Sequence, residues 1–140
     1  MERKIRMISQ PRLERPKGDL SFLSRETVEG IRDFHRSFPV YRPTPLAAFP
    51  QTARELGLGN LYVKDESQRF GLNAFKVLGG SYAIGHYLAD RLGENMEDVT
   101  YERLTSEEAR ERLGEITFVT ATDGNHGRGV AWTAREFGQK

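Results

Sequence analysis

From residue 61 onward the apolar side chains switch between two periods, and this alternation constrains the fold more than any other feature of the 140-residue chain. Leu61, Tyr62 and Val63 read as a short strand after a glycine-rich turn at residues 57–60. Leu78, Tyr82, Tyr87 and Leu88 then fall at helical spacing over residues 76–92, and Gly93 supplies a stop. A charged stretch follows, in which Thr105 and Glu108 form a capping-box pair before a polar helix ending near Gly114. Residues 116–120 (Ile-Thr-Phe-Val-Thr) carry the strongest strand signal. A turn at Asp123 and Gly124 leads into a helix carrying Val130, Ala131, Ala134 and Phe137, with Gly138 as its stop. Strand, helix, strand, helix predicts an open, mainly parallel α/β sheet. Two parallel strands need cover on both faces, so the expectation is the N-terminal portion of a longer protein, its sheet incomplete in this chain.

The first fifty residues differ in character. They hold all six prolines, and a residue that fixes φ and lacks a backbone donor favours extended connections. Residues 2–18 carry six bases and two acids and read as a basic leader. Ser24, Val28, Ile31 and Phe34 predict an N-capped amphipathic helix over residues 25–37.

Composition removes several functions. Twenty-one Lys and Arg against twenty Asp and Glu leave a formal charge of +1, which supplies no broad cationic surface for nucleic acid or anionic lipid. No apolar run reaches the roughly 18 residues of a membrane helix, and no apolar stretch follows the N-terminus as in a secretory signal. Zero cysteines exclude disulfides, thiolate catalysis and Cys-ligated metals. No histidine has a second ligand at metal spacing, so no metal site is expected. The expectation is a cytoplasmic protein with no nucleic-acid or membrane partner.

Two segments could carry chemistry. In the first, Lys76 stands between Phe75 and Val77, with Gly71, Gly79 and Gly80 nearby. An apolar setting and the positive end of a helix dipole both oppose an ammonium there. A neutral amine is what Schiff-base chemistry requires, although a surface lysine at a helix start has the same local sequence. Lys64, beside Asp65 and Glu66, is the poorer nucleophile. In the second, residues 120–129 follow a strand and open a helix, where unpaired N–H groups can hold a carboxylate or phosphate. Gly124, Gly127 and Gly129 do not fit a dinucleotide or P-loop fingerprint. Asp123 also reads as a helix cap, Asn125 as a turn residue and His126 as a packed ring.

In order along the chain, Arg42-Pro43-Thr44-Pro45-Leu46, Val63-Lys64-Asp65-Glu66, Ala74-Phe75-Lys76 and Asp123-Gly124-Asn125-His126-Gly127 resemble the first half of the fold-type II pyridoxal-phosphate enzymes. Within that superfamily, the stretches Asn73-Ala74-Phe75-Lys76-Val77-Leu78-Gly79-Gly80-Ser81-Tyr82 and Thr120-Ala121-Thr122-Asp123-Gly124-Asn125-His126-Gly127 are similar to the diaminopropionate ammonia-lyase family. Ala74 and Asp123 depart from the general dehydratase pattern and point the same way. The resemblance implies a three-layer α/β sheet of the tryptophan synthase β-like type, with residues 1–40 a leader plus helix and residues 41–140 the truncated N-terminal part of the catalytic domain. It implies pyridoxal 5′-phosphate as cofactor, Lys76 as its Schiff-base lysine, Phe75 beside the pyridine ring and Asn125 on the ring oxygen. Thr122, Asp123, Gly124 and His126 would meet the substrate, with Lys76 the base for its L form and Asp123 for its D form. The implied reaction is α,β-elimination of D- and L-2,3-diaminopropionate to pyruvate and two ammonia by a complete enzyme that is a homodimer. A serine/threonine dehydratase, a cysteine synthase-like enzyme, or a fragment without catalysis are the alternatives. The family's phosphate-binding glycine loop and its pyridine-nitrogen partner lie later in its sequences, so the isolated chain is expected to be inactive.

Overall fold

The computed structural model describes residue 18, residues 20–122 and residues 124–140. Most of the basic leader and Asp123 therefore lie outside the described residues.

The chain's longest helix forms where apolar periodicity and a terminal glycine coincide. Helix α3 spans Lys76–Leu92, the range read from the sequence, and ends on Gly93 in the left-handed conformation, φ 72°. Its buried face is Val77, Ile84, Leu88, Ala89 and Leu92. Helix α1 (Arg25–Arg36) is capped as expected, with the Ser24 hydroxyl accepting the Thr27 N–H at 3.1 Å. It presents Phe34 to the core and hands on to Phe38. Phe38 stacks on Phe70 with centroids 5.3 Å apart, and Phe70 stacks on Trp132 at 5.2 Å.

Two elements in the proline-rich half were not legible as such. Strand β1 (Leu46–Ala48) leads directly into helix α2 (Pro50–Glu55), whose proline sits at the helix start, where no N–H is needed. Strand β2 (Tyr62–Lys64) lies one residue later than the sequence reading and pairs antiparallel with β1, Ala47 opposite Val63. The two-stranded sheet of the described residues is therefore antiparallel. The parallel partner expected at residues 116–120 forms no ladder. A strand exists only through a neighbour's backbone, and among the described residues the partner that 116–118 finds is the tail: Lys140 N–H donates to Ile116 O at 2.9 Å and Phe118 N–H to Lys140 O at 2.6 Å. Val119 is left 89 % exposed.

The charged stretch holds two short helices, α4 (Tyr101–Thr105) and α5 (Glu107–Leu113). The cap of α5 is Ser106, whose hydroxyl accepts the Ala109 N–H at 3.2 Å, and not Thr105. The Thr105 hydroxyl instead donates back to Tyr101 O at 3.0 Å, and Glu108 pairs with Arg103 rather than closing a capping box. Helix α6 (Asn125–Glu136) follows Gly124, and the buried Ala134 and Phe137 fix its inner face against the core.

Candidate functional site

The route to Lys76 begins at the two strands. Thr44 precedes β1 and Lys64 closes β2, and the pairing of these strands brings the Pro-Thr-Pro and Lys-Asp-Glu motifs side by side. The Thr44 hydroxyl donates to Glu66, and the Lys64 ammonium donates to the Thr44 carbonyl and hydroxyl oxygens. Arg69, almost fully buried, grips Glu66 through Nε at 2.8 Å and through a second nitrogen at 3.0 Å, and reaches Arg42 O at 3.2 Å. Its guanidinium also lies 5.6 Å from the Tyr41 ring centroid. The Arg69 hydrogen bonds outweigh partial burial and hold the Glu66 carboxyl at about 2. Lys64 is thus committed to this network. The network fixes the tight turn at Glu66–Gly71, from which the chain passes through Asn73 (φ 57°) into α3.

Lys76 is the first residue of α3 and half-buried; Phe75, which precedes it, leaves its ring 62 % exposed. The turn that follows is held on one side by α1. His35 is buried, with Nε2 2.9 Å from Leu78 O and 3.1 Å from the Ser81 hydroxyl; desolvation lowers its pKa and favours the neutral ring. In the tautomer protonated at Nε2, it donates to the Leu78 carbonyl. On the other side is α6. A Cβ built on Gly129 would stand 3.0 Å from Val77 Cα, and one on Gly80 would touch Val130 at 3.7 Å. Of the glycines near Lys76 in sequence, Gly80 faces α6 and Gly79 faces open space.

That packing brings the first turn of α3 against the second turn of α6, and with it the two motif segments. Gly124, at φ 119° in a conformation that L side chains rarely adopt, turns the chain into α6. The Thr122 hydroxyl accepts the Gly124 N–H at 3.0 Å and the Gly127 N–H at 2.6 Å, so it caps the helix from outside the usual position. Gly127 is fitted to it: a Cβ there would meet Thr122 Cγ2 at 2.5 Å. Asn125 is exposed on the first turn of α6 and His126 is half-buried beside it. A threonine oxygen standing on two backbone donors occupies a place that a carboxylate oxygen can also fill. The amine of Lys76, the amide of Asn125, the flat ring of Phe75 and the donor-rich helix start are a set suited to an aldehyde-bearing aromatic cofactor and an anionic substrate group. Two further positions belong to this geometry: Gly129, which the sequence reading weighed only against phosphate-loop fingerprints, and His35, which it did not single out. Glycine inside a helix was the available signal for the first; nothing local marked the second.

A groove of about 840 Å³ lies elsewhere, between α1, α3 and the Met96–Asp98 turn, lined by Glu26, Glu29, Tyr82, His86 and Glu97 among others. Among the described residues no group of three His, Cys, Asp or Glu could hold a metal, and no helix is long and apolar enough to cross a membrane.

Comparison with known proteins gives the family of the chain. The family model described as pyridoxal-phosphate dependent enzyme matches residues 38–140. The diaminopropionate ammonia-lyase of Salmonella typhimurium is 49 % identical over 121 residues, covering 86 % of this chain and 30 % of the relative. Among solved structures, the holo diaminopropionate ammonia lyase of Escherichia coli superposes with a TM-score of 0.77 at 45 % identity, over 85 % of this chain and 29 % of that one. The Escherichia coli enzyme in complex with an aminoacrylate-PLP azomethine reaction intermediate gives a TM-score of 0.71 at 44 % identity, over 84 % and 28 %. The chain spans less than a third of the length of these relatives, and its fold is the corresponding part of their α/β architecture.

Proposed function

Because this chain belongs to the pyridoxal-phosphate dependent enzyme family, we propose that it supplies the N-terminal, lysine-bearing part of an ammonia-lyase that cleaves D- and L-2,3-diaminopropionate to pyruvate and two ammonia. The observation that carries this reading is the packing of Val77 on Gly129, which sets the turn bearing Lys76 against the helix opened by residues 122–126. The similarity to diaminopropionate ammonia-lyases supports the substrate. The complete enzyme is proposed to be a cytoplasmic homodimer, with residues 41–140 the first part of its catalytic domain.

Pyridoxal phosphate, when bound, supplies an electron sink that stabilises negative charge at the substrate's Cα. The residues of this chain would hold part of the cofactor and move a proton. Lys76 Nζ would hold the cofactor by its aldehyde carbon and, once released, would accept the Cα proton of the L substrate. The Phe75 ring would lie beside the pyridine ring, and the Asn125 amide would donate to the ring oxygen. The substrate carboxylate takes the donors at the start of α6, from Gly124 to His126, sharing or replacing the Thr122 hydroxyl. Asp123 would accept the Cα proton of the D substrate. Loss of the β-amino group then yields ammonia, and hydrolysis of the remaining enamine yields pyruvate and the second ammonia.

The test is cofactor capture by the 140-residue chain. Adding pyridoxal phosphate, trapping with borohydride and mapping the modified peptide is expected to place the cofactor on Lys76 in preference to Lys64 or Lys140, and Lys76→Ala to abolish that label. Equal labelling of several lysines would overturn the assignment. The chain alone is expected to release no ammonia from diaminopropionate at an enzymatic rate.

A further inference from the structure

We propose that Gly129 is a positioning residue for Lys76: the missing side chain at 129 sets how closely α6 approaches the first turn of α3, and hence where the Lys76 amine stands relative to residues 122–126. The inference rests on the role given to Lys76 above, and its test is arranged so that the two can fail separately.

The contact is backbone against backbone. A methyl group at 129 would lie 3.0 Å from Val77 Cα and 3.3 Å from Val77 N and Cβ. Val77 N is bonded to the carbonyl carbon of Lys76, so this pressure falls one bond from the lysine. Little else can yield. On α6, the Gly129 carbonyl accepts the hydroxyl of Thr133 at 2.8 Å, and Thr133 is fully buried. Beyond Val77, itself 1 % exposed, the Leu78 carbonyl is held by His35 at 2.9 Å and by the Ser81 hydroxyl at 3.1 Å. The compliant part is the start of α3. It is entered through a loop with Asn73 at φ 57°. Added volume at 129 therefore displaces Lys76 rather than being absorbed by the close-packed core.

The same interface contains its own control. A Cβ on Gly80 would meet Val130 Cγ2 at 3.7 Å, an ordinary contact, so Gly80→Ala enlarges the interface without pressing on the lysine turn.

The experiment measures amine reactivity in the 140-residue chain without cofactor. Competitive acylation read by peptide mass spectrometry gives the labelling rate of Lys76 relative to the exposed Lys140. Circular dichroism reports whether the helices persist. Gly129→Ala is expected to change the relative rate about threefold or more with helix content retained, and Gly80→Ala to leave it unchanged. Should Gly129→Ala fail to fold in buffer, both rates are read in trimethylamine N-oxide, which strengthens burial and favours the compact state. An unchanged Lys76 rate in Gly129→Ala with native helix content, in buffer or in the osmolyte, overturns the proposal. Borohydride trapping with pyridoxal phosphate is run in parallel, where Gly129→Ala is expected to lose about tenfold in Lys76-specific capture. Wild-type chain that captures no cofactor on Lys76 while the acylation rates still respond would sink the functional reading and leave the positioning role standing.

Discussion

Thr122 and Gly127 fit one another closely enough that changing either is read by the other. The Thr122 oxygen satisfies two N–H groups at the start of α6, and removing such a cap costs about 1 kcal/mol. Thr122→Val is therefore expected to lower stability by about that amount in urea unfolding. Gly127→Ala is expected to cost at least as much, because its Cβ would overlap Thr122 Cγ2 at 2.5 Å. The Thr122→Ala/Gly127→Ala double variant should be less destabilised than the sum of the singles, the mark of one shared contact. Acid unfolding has two parts at this scale. His35 has a pKa below its ordinary 6.5 in the folded state, so its contribution is present above 6.5 and is lost as pH falls below that value. Glu66, held at about 2 against 4.5 when unfolded, contributes above 4.5 and loses that contribution as pH falls toward 2. Glu66→Gln should flatten stability measured between pH 4.5 and 2, and leave the His35 part in place. The residue types that made Lys76 and Asn125 candidates were legible in the sequence. The roles of Thr44 and Arg69 were not, since their partners come from segments that only strand pairing unites.

At the scale of elements, the sequence reading succeeded where one local signal sufficed. Helices α1, α3 and α6 were legible because periodicity and a capping or stop residue agreed. The cap of α5 was misplaced by one residue. Thr105 and Ser106 are equally good on paper, and the structure chooses Ser106 because α4 ends on Thr105 and uses its hydroxyl. Ser106→Ala is accordingly expected to cost about 1 kcal/mol in thermal or urea unfolding, and Thr105→Ala clearly less. Residues 116–120 show the opposite failure. Their β-branched composition states a preference for a pleated, half-buried surface, but strand formation depends on a neighbour the local sequence does not contain. Here the neighbour is one residue of tail.

For the whole molecule, the core is organised around α3, and α1 belongs to it as fully as any later helix. Phe34 and Phe38 are each at most 3 % exposed, and the rings of Phe38, Phe70 and Trp132 form one stack. Burying a phenylalanine of this kind is worth roughly 3–5 kcal/mol against alanine, while a domain has only about 5–15 kcal/mol in total. The family model begins at residue 38 and leaves α1 outside it. The His35 bond to the Leu78 carbonyl nonetheless joins α1 to α3. A variant starting at residue 38 is expected to lose cooperative unfolding by circular dichroism, and with it selective capture of pyridoxal phosphate. The stretch that the family model matches is thus shorter than the stretch that packs as one core: Lys76 is steadied by a helix that carries none of the motifs, and any shortened form designed around the motifs alone would discard its footing.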